Sequence, residues 1–398
     1  MQWATAAGAL RRGEDLVDSI EIVVCTADAD AVVDALSDGP DAPQLVDRTR
    51  GRVTVRTENA DVAVHLPDAD RAAATLLYLT GPMAHVDALR ALAAENGLRL
   101  DADGLFSPAD DRLPTATEDD IYAALNLPPI PAEIREEDAA IEAAVRGALP
   151  RFVSTGDVLG DLHMHTTWSD GRDSIETMAV AARELNYQFV AITDHSEGSA
   201  ASHNLRAVDV DRQAFEIARV RKRYPDIEIF HGCEVDILGD GRLDFPDEIL
   251  ESFDIVLASL HEDMGCSGEQ LLERYLAAAN HPYVNVLTHP ANRLVPHRAG
   301  YAIDYDRLFA AAAETGTAVE IDGAPTHLDL NGDLARRAAA AGATLTIDSD
   351  CHRAQWLGRF MALGVQMARR GWIEPRHVLN TRPAADVRAF VAAKRRRV

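Results

Sequence analysis

Apolar runs recur along the second part of the chain at intervals of about thirty residues. They begin near Val158, Phe189, Ile227, Ile255, Val284, Ala318 and Thr344. Amphipathic stretches with helical spacing lie between them, among others 175–185, 212–223, 268–279 and 305–315. Such strand-then-helix units predict a parallel sheet, because each helix must return the chain to the same edge. We expect closure into a barrel of the α/β type, with an open doubly wound sheet as the alternative.

The first part of the chain has a different pattern, which predicts a small α/β domain over residues 1–106. Alternation typical of half-buried strands covers 19–24, 52–56 and 61–65. Helical spacing covers 29–36, 69–79 and 83–95. Residues 107–156 contain proline clusters and an acidic run, so we interpret them as a linker with short helices. The barrel domain is predicted to cover residues 157–398.

Composition is that of a globular protein, with 47% hydrophobic and 26% charged residues, which excludes disorder. Apolar runs are shorter than the roughly 20 residues that span a bilayer, and the first ten residues do not resemble a signal peptide. The four cysteines are widely spaced, which argues against a disulfide framework. We therefore expect a cytoplasmic protein with no membrane partner. The net charge of −25 argues against a broad basic face for nucleic acid, but it is compatible with a cleft that bound cations make positive.

Histidine or carboxylate residues follow all seven strand-like runs of the second part. In strand order they are Asp161, His163, His165 and Asp170; Asp194 and His195; Glu234 and Asp236; His261; His289; Glu320 and Asp322; Asp348, Asp350 and His352. Because the carboxyl ends of parallel strands meet at one rim, these side chains are expected to converge. Imidazole with carboxylate suits zinc, manganese or iron. The sequence therefore predicts a site that holds more than one metal ion.

These residues resemble the motifs of the PHP (polymerase and histidinol phosphatase) superfamily over about 157–385. The motifs are His163-x-His165, Thr193-Asp194-His195, Glu234, His261, His289-Pro290 and Asp350-x-His352. The resemblance implies an α/β fold, a distorted (β/α)7 barrel, with a trinuclear metal site. Carried over, the first ion would be held by His163, His165, Glu234 and Asp350, the second by Glu234, His261 and His289, and the third by Asp170, His195 and His352. The family varies at the position of Asp170.

Neighbouring metal ions activate a bridging water and neutralise phosphoryl oxygens during in-line displacement, so phosphoester hydrolysis is the predicted reaction. A metal-bound hydroxide would be the nucleophile at the group formed by His163, His165, Glu234 and Asp350. We expect manganese to support activity best and zinc to co-purify, and iron would also suit these ligands. Arg293 and Arg298 follow His289 and are candidates to bind the phosphate, with ordinary surface arginines as the alternative.

Residues 1–106 resemble the palm and thumb of family X DNA polymerases, and the linker resembles that of the bacterial members that carry a PHP domain. The matching segments include Gly8–Glu14, Val17–Ile22, Ala60–Val64 and Thr80–His85. The family places three magnesium-binding aspartates where this chain has Ser19, Glu21 and Asp61. A serine supplies no bridging carboxylate, and we find no counterpart of the family's DNA-gripping modules. We expect polymerase activity to be lost, leaving a packing partner for the barrel or a weak nucleic-acid contact through Arg11 and Arg12.

The resemblance implies a 3′→5′ exonuclease acting on DNA ends, a DNA-repair nuclease that could also cut abasic sites or remove 3′ phosphates. A phosphatase for a small phosphomonoester, similar to histidinol phosphatase, is the alternative, and the negative charge favours it. A non-catalytic scaffold ranks last, because all nine candidate ligands are present. The substrate, the oligomeric state and the protein partners are left open.

Overall fold

The computed structural model describes residues 2–38, 42–199, 201, 203–261 and 265–396. The chain divides into two compact units, Met1–Pro150 and Arg151–Val398. The division falls inside the segment 107–156 that the sequence analysis interprets as a linker. Among the described residues, no helix combines the length and the apolar character that crossing a membrane requires.

The first unit is built on a five-stranded sheet. Its strands are β1 (Trp3–Ala6), β2 (Ile20–Cys25), β3 (Gln44–Thr49), β4 (Arg52–Arg56) and β5 (Asp61–His65), in the spatial order β1-β2-β5-β4-β3. Its described residues also form a two-stranded hairpin, a short 3-10 helix (Ala132–Ile134) and six α-helices: β6 (Arg99–Asp101), β7 (Gly104–Phe106), α1 (Gly8–Arg12), α2 (Ala29–Ser37), α3 (Ala72–Thr80), α4 (Met83–Glu95), α5 (Glu118–Ala124) and α6 (Asp138–Val145). The three predicted strands are confirmed. Strand β3 was not predicted, because its six residues are all exposed and lack the alternation that marks a half-buried strand.

The second unit is a seven-stranded parallel barrel. Its strands are β8 (Gly160–Asp161), β9 (Phe189–Ile192), β10 (Glu228–Asp236), β11 (Ile255–Ser259), β12 (Val286–Leu287), β13 (Ala318–Asp322) and β14 (Leu345–Asp348), which neighbour one another in sequence order. A parallel bridge between Met164 and Cys351, just beyond the first and last strands, closes the ring. The amide of His165 donates to the carbonyl of Cys351 at 2.9 Å. The distorted (β/α)7 barrel is confirmed, and the open doubly wound sheet is excluded.

Eight helices accompany the barrel strands in the described part of the chain. They are α7 (Ile175–Glu184), α8 (Val210–Arg223), α9 (Asp247–Leu250), α10 (Gly268–Asn280), α11 (Tyr305–Thr315), α12 (Gly332–Ala340), α13 (Leu357–Arg370) and α14 (Ala384–Arg395). Polar side chains begin several of them: Ser174, Ser267 and Asp304 each accept a hydrogen bond from the backbone three residues on. These caps satisfy amide groups that the first helical turn leaves without partners.

The barrel strands are buried on both faces, as expected for parallel strands covered by helices. On β9, Val190 and Ile192 pack in the large core that includes the helices, whereas Phe189 and Ala191 belong to a second cluster. That second cluster also contains Val387 and Val391 of α14. Val378, shortly before α14, pairs with Leu345, the first residue of β14. Apolar side chains therefore fill the amino end of the barrel, and the strand-end histidines and carboxylates lie at the carboxyl end.

Gly160 should be intolerant of any side chain. An added methyl group at this β8 position would collide with the carbonyl oxygen and the ring of Phe189 on β9. We expect Gly160→Ala to lower the free energy of unfolding by about 1–3 kcal/mol, as overpacking does. Gly239→Ala is the matched control, because nothing lies within 4 Å of the added methyl group, and it should change stability by about 0.5 kcal/mol or less. Urea unfolding measures both, and equal effects would contradict the close β8–β9 contact.

Candidate metal centre

Nine side chains converge at the carboxyl end of the barrel, each within 4 Å of another member of the set. They are His163, His165, Asp170, His195, Glu234, His261, His289, Asp350 and His352. They come from segments at or just beyond the ends of strands β8 to β12 and β14. The structure thus brings together every candidate ligand that the sequence analysis singled out.

Four ligand atoms form the most compact group. The Nε2 atoms of His163 and His165 lie 3.1 Å apart, and the Oε2 atom of Glu234 lies 3.4 and 3.5 Å from them. The Oδ1 atom of Asp350 lies 3.5 and 3.0 Å from the same two nitrogens. Three of these atoms, from His163, His165 and Asp350, all lie within 4.8 Å of one another, a spacing that a single divalent ion can bridge, and Glu234 lies beside them.

Glu234 joins this group to its neighbours. Its Oε1 atom lies 2.9 Å from Nε2 of His289 and 3.4 Å from Nε2 of His261, and its Oε2 atom lies 2.8 Å from Nδ1 of His195. The carboxylate is fully buried. Burial alone would raise the pKa of Glu234, but the surrounding imidazoles, His195 foremost, outweigh it and hold the pKa well below its usual value. The group is therefore ionised and available to a cation.

Asp170 marks the outer side of the centre. Its Oδ1 atom lies 3.3 Å from Nε2 of His352 and 3.7 Å from Nε2 of His195. The ring of His165 stacks against both histidines with centroids 4.3 Å apart. Burial lowers the pKa of His165 to about 3, so this imidazole is neutral, as a metal ligand must be.

Several buried ligand atoms have no hydrogen bond within the described part of the chain. They are Oε2 of Glu234, Oδ1 of Asp350, Oδ1 of Asp170 and Nδ1 of His195. Imidazole nitrogens lie within 4 Å of each of these oxygens but do not meet the geometry of a hydrogen bond. Buried carboxylate oxygens without donors are costly, and cations would remove that cost. The residues present therefore fit a metal centre.

Polar residues behind the ligands hold the imidazole rings in position. Glu320 on β13 lies 2.7 Å from Nδ1 of His163, and its other oxygen accepts the backbone amide of His289 at 2.7 Å. The Oδ1 atom of Asp236 lies 2.6 Å from Nδ1 of His261. These carboxylates fix which ring nitrogen faces the centre and increase its basicity. The sequence analysis placed both at strand ends without a role, although Asp236 follows Glu234 at the spacing that puts two strand residues on one side.

Asp194 supports the loop that carries Asp170. Its carboxylate accepts the amides of Thr166 and Ser169 at 2.7 and 3.0 Å and the side-chain amide of Gln213 at 2.7 Å. Burial raises the pKa of Asp194, and these donors oppose the shift. This strand-end carboxylate thus organises the backbone and is not one of the nine converging side chains.

Other residues of the rim lie outside the set of nine. Asp322 and His327 form a further group with Asp350, whose ligand atoms lie within 4.8 Å of one another. The guanidinium of Arg293 donates to the carbonyl of Leu328 at 2.7 Å, and Nε of Arg298 donates to a backbone carbonyl at 2.7 Å. Both arginines therefore hold rim loops in this structure, and their role as phosphate ligands stays a prediction.

The palm-like sheet of the first unit has its two carboxylates already paired. Asp61 makes a two-pronged ion pair with Arg56 at 2.7 and 2.9 Å, and Glu21 contacts Nε2 of His65. With Ser19, the two carboxylates line a cleft of about 550 Å³ within this unit. Both carboxylates that a two-magnesium site would need free thus already have a side-chain partner.

Comparison with known proteins agrees with both units. Residues 161–321 match the PHP domain, and residues 75–136 match the DNA polymerase beta thumb. The chain is 35% identical to DNA polymerase/3′-5′ exonuclease PolX of Bacillus subtilis over 97% of its own length and 68% of that protein. A protein of Thermoanaerobacter sp. named "Probable phosphatase" is 26% identical over 60% of this chain and 96% of its own length. A solved structure of histidinol phosphate phosphatase from Lactococcus lactis, complexed with zinc, L-histidinol and phosphate, is 20% identical, covers 53% of this chain and 93% of its own, and has a TM-score of 0.41.

Asp236→Asn should weaken metal binding without unfolding the barrel. The amide cannot match the carboxylate that holds Nδ1 of His261. Loss of such a partner lowers metal affinity by about 10- to 100-fold. Metal content and zinc release to a competing chelator measure the effect. Asp240→Asn is the control, since Asp240 pairs with exposed Arg242 and its substitution should leave metal affinity unchanged. Equal zinc retention in the two variants would remove Asp236 from the proposed centre.

Proposed function

The chain belongs to the PolX family of DNA polymerases and 3′-5′ exonucleases, and on that premise we propose that it is a 3′→5′ exonuclease acting on DNA ends. Its PHP domain makes it a metal-dependent phosphoesterase of the PHP type. The observation that carries the finer proposal is the extent of the similarity, because the PolX relative matches 97% of the chain, including the first unit. Action on abasic sites or on 3′ phosphates belongs to the same proposal.

Three divalent ions are proposed for the centre. His163, His165, Glu234 and Asp350 would hold one, Glu234, His261 and His289 a second, and Asp170, His195 and His352 a third. Such ions supply an activated water and neutralise the phosphoryl oxygens of the substrate. Imidazole and carboxylate together suit manganese, zinc or iron, and we propose manganese for activity and zinc for the resident metal.

The surrounding residues prepare this arrangement before the substrate binds. Glu320 and Asp236 hold His163 and His261 by their Nδ1 atoms, which directs the Nε2 atoms to the centre. Asp194 holds the loop of Asp170 through backbone amides. Preorganised ligands reduce the reorganisation that the reaction would otherwise require.

A phosphatase for a small phosphomonoester is the second candidate. The net charge of −25 favours it, because a broadly negative surface repels a polyanion. The similarity to the Thermoanaerobacter "Probable phosphatase" supports it for the PHP part of the chain, 60% of its length.

The exonuclease proposal predicts stepwise shortening of 3′-end-labelled single-stranded DNA when Mn²⁺ is added. His163→Ala should lower the rate by at least about 100-fold, because it removes a ligand of the compact group, and a lost ligand should cost more than a lost supporting partner. His377→Ala is the control, since His377 lies near the amino end of the barrel and should not affect the rate. Release of phosphate from a generic phosphomonoester, with the DNA left intact, would contradict the exonuclease proposal and support the phosphatase.

Loss of polymerase activity is a separate part of the proposal. Ser19 offers no carboxylate, and Glu21 and Asp61 already contact His65 and Arg56. We expect no extension of a primer on a gapped template with Mg²⁺ or Mn²⁺ and all four nucleotides. The assay should use His163→Ala, so that degradation does not hide synthesis. Extension that disappears in an added Asp61→Asn substitution would show that the palm is active.

A further inference from the structure

Helix α8 carries an unusual charge for this protein. It contains five basic residues, Arg212, Arg219, Arg221, Lys222 and Arg223, and two acidic residues, Asp211 and Glu216, a net charge of +3 in a chain whose net charge is −25. Positive potential concentrated on one element of an acidic protein attracts a polyanion to that element. Basic residues in the last turn also stabilise the helix dipole, but this explains neither Arg212 nor Arg219.

One side of α8 borders two cavities that follow each other along the helix. A cavity of about 410 Å³ is lined by Arg212 and Glu216, and one of about 590 Å³ is lined by Glu216, Arg219 and Arg223. These residues recur at the spacing of a single helical face. The opposite face is buried and includes Val210, Gln213, Ile217 and Val220. The 14-residue helix is about 21 Å long, enough for several nucleotides.

Aromatic side chains accompany the basic ones. Trp168 lines the first cavity, donates its Nε1–H to Glu216 at 3.0 Å and lies under the Arg212 guanidinium at 5.7 Å. Phe215 is 69% exposed, an unusual state for a phenyl ring. Trp168 precedes the candidate ligand Asp170 by two residues, so the surface begins beside the metal centre. Aromatic rings interleaved with basic residues are the pattern that binds single-stranded nucleic acid.

Two of the basic side chains are available to a ligand. Arg212, Arg221 and Arg223 already pair with Asp209, Asp254 and Glu176. Arg219 and Lys222 are exposed, and the described part of the chain supplies neither with a carboxylate. Binding to phosphate groups would give these two cations the partners that the fold does not provide.

We propose that this side of α8 binds the single-stranded end of a nucleic acid and leads it to the metal centre. We name it the α8 surface and define it by Trp168, Arg212, Phe215, Arg219, Lys222 and Arg223. Arg219 and Lys222 bind backbone phosphates, and Phe215 stacks on a base. The inference rests on the proposed exonuclease function and adds the surface that selects a polynucleotide over a small phosphomonoester.

The test compares two double variants that each remove two positive charges. Arg219→Ala/Lys222→Ala changes the α8 surface. Arg307→Ala/Arg337→Ala is the control, because these residues lie on α11 and α12, where they pair with Glu269 and Asp306. Binding of a phosphorothioate-linked single-stranded oligonucleotide is measured on metal-loaded protein across a salt series. Loss of two phosphate contacts should lower the slope of log affinity against log salt by about 1.4, which corresponds to about 25-fold weaker binding at 0.1 M salt.

Two further measurements separate the surface from the centre. Hydrolysis of a small phosphomonoester should be the same in both double variants and in the wild type, because the metal ligands are untouched. Phe215→Ala should weaken oligonucleotide binding by about 5-fold or more without changing the salt slope, because stacking releases no counterions.

The outcomes distinguish this inference from the proposed function. If the wild type shortens DNA and Arg219→Ala/Lys222→Ala keeps the wild-type salt slope, the proposal that the α8 surface binds nucleic acid is wrong. The exonuclease proposal is then unaffected. An equal loss of oligonucleotide affinity in the two double variants would also contradict the proposed α8 surface, because it would show a general effect of net charge. If the wild type neither binds nor shortens DNA but hydrolyses the phosphomonoester, the exonuclease proposal fails, and the α8 surface fails with it.

Discussion

The burial of a single carboxylate, Glu234, is the constraint on which the carboxyl end of the barrel depends. Five imidazoles, those of His163, His165, His195, His261 and His289, lie 2.8–3.5 Å from its two oxygens. A fully buried carboxylate is tolerated only where positive charge or hydrogen-bond donors surround it. Four strands besides its own must therefore end at the same level and turn a histidine inward. The parallel register, with Glu234 opposite Leu257 on β11, places the ends of neighbouring strands at the same height along the barrel axis.

The same strands divide the barrel into two chemically different ends. Alternate residues of β9 enter the helix-side core and the inner cluster, and Val387 and Val391 of α14 belong to that inner cluster. Apolar side chains thereby fill the amino end, and the nine converging side chains lie at the carboxyl end. Short strands such as β8 and β12, of two residues each, suit this arrangement because the chain leaves the ladder soon enough to present its histidines. The apolar side chains that stabilise the barrel and the candidate metal ligands thus lie at opposite ends of one sheet.

Charge distribution links the centre to its proposed substrate. The chain as a whole repels polyanions, so a nucleic acid would need local positive potential. Cations at the centre would supply it at the scissile phosphate, and the α8 surface would supply it for the following nucleotides. The palm-like cleft of the first unit differs from the metal centre, because its two carboxylates already contact Arg56 and His65.

The sequence alone predicted the barrel and the nine candidate ligands that the structure brings together. This was possible because strand periodicity, and the presence of a histidine or carboxylate after each strand, can be read from short segments of the chain. His163-x-His165 and Asp350-x-His352 also resemble known motifs. It could not predict which partners hold these residues. Glu320 contacts His163 from 157 positions away, and Asp194 supports a loop that precedes it by 24 to 28 residues.

Arg293 follows a ligand in sequence, yet its guanidinium binds the carbonyl of Leu328. The strand β3 shows no alternation because both of its faces are exposed. Trp168 comes beside Arg212 and Glu216 of the α8 surface only in the folded chain. Tertiary structure decided these features, because a side chain's partners depend on distances between segments far apart in sequence, whereas periodicity reports only the direction in which each residue points.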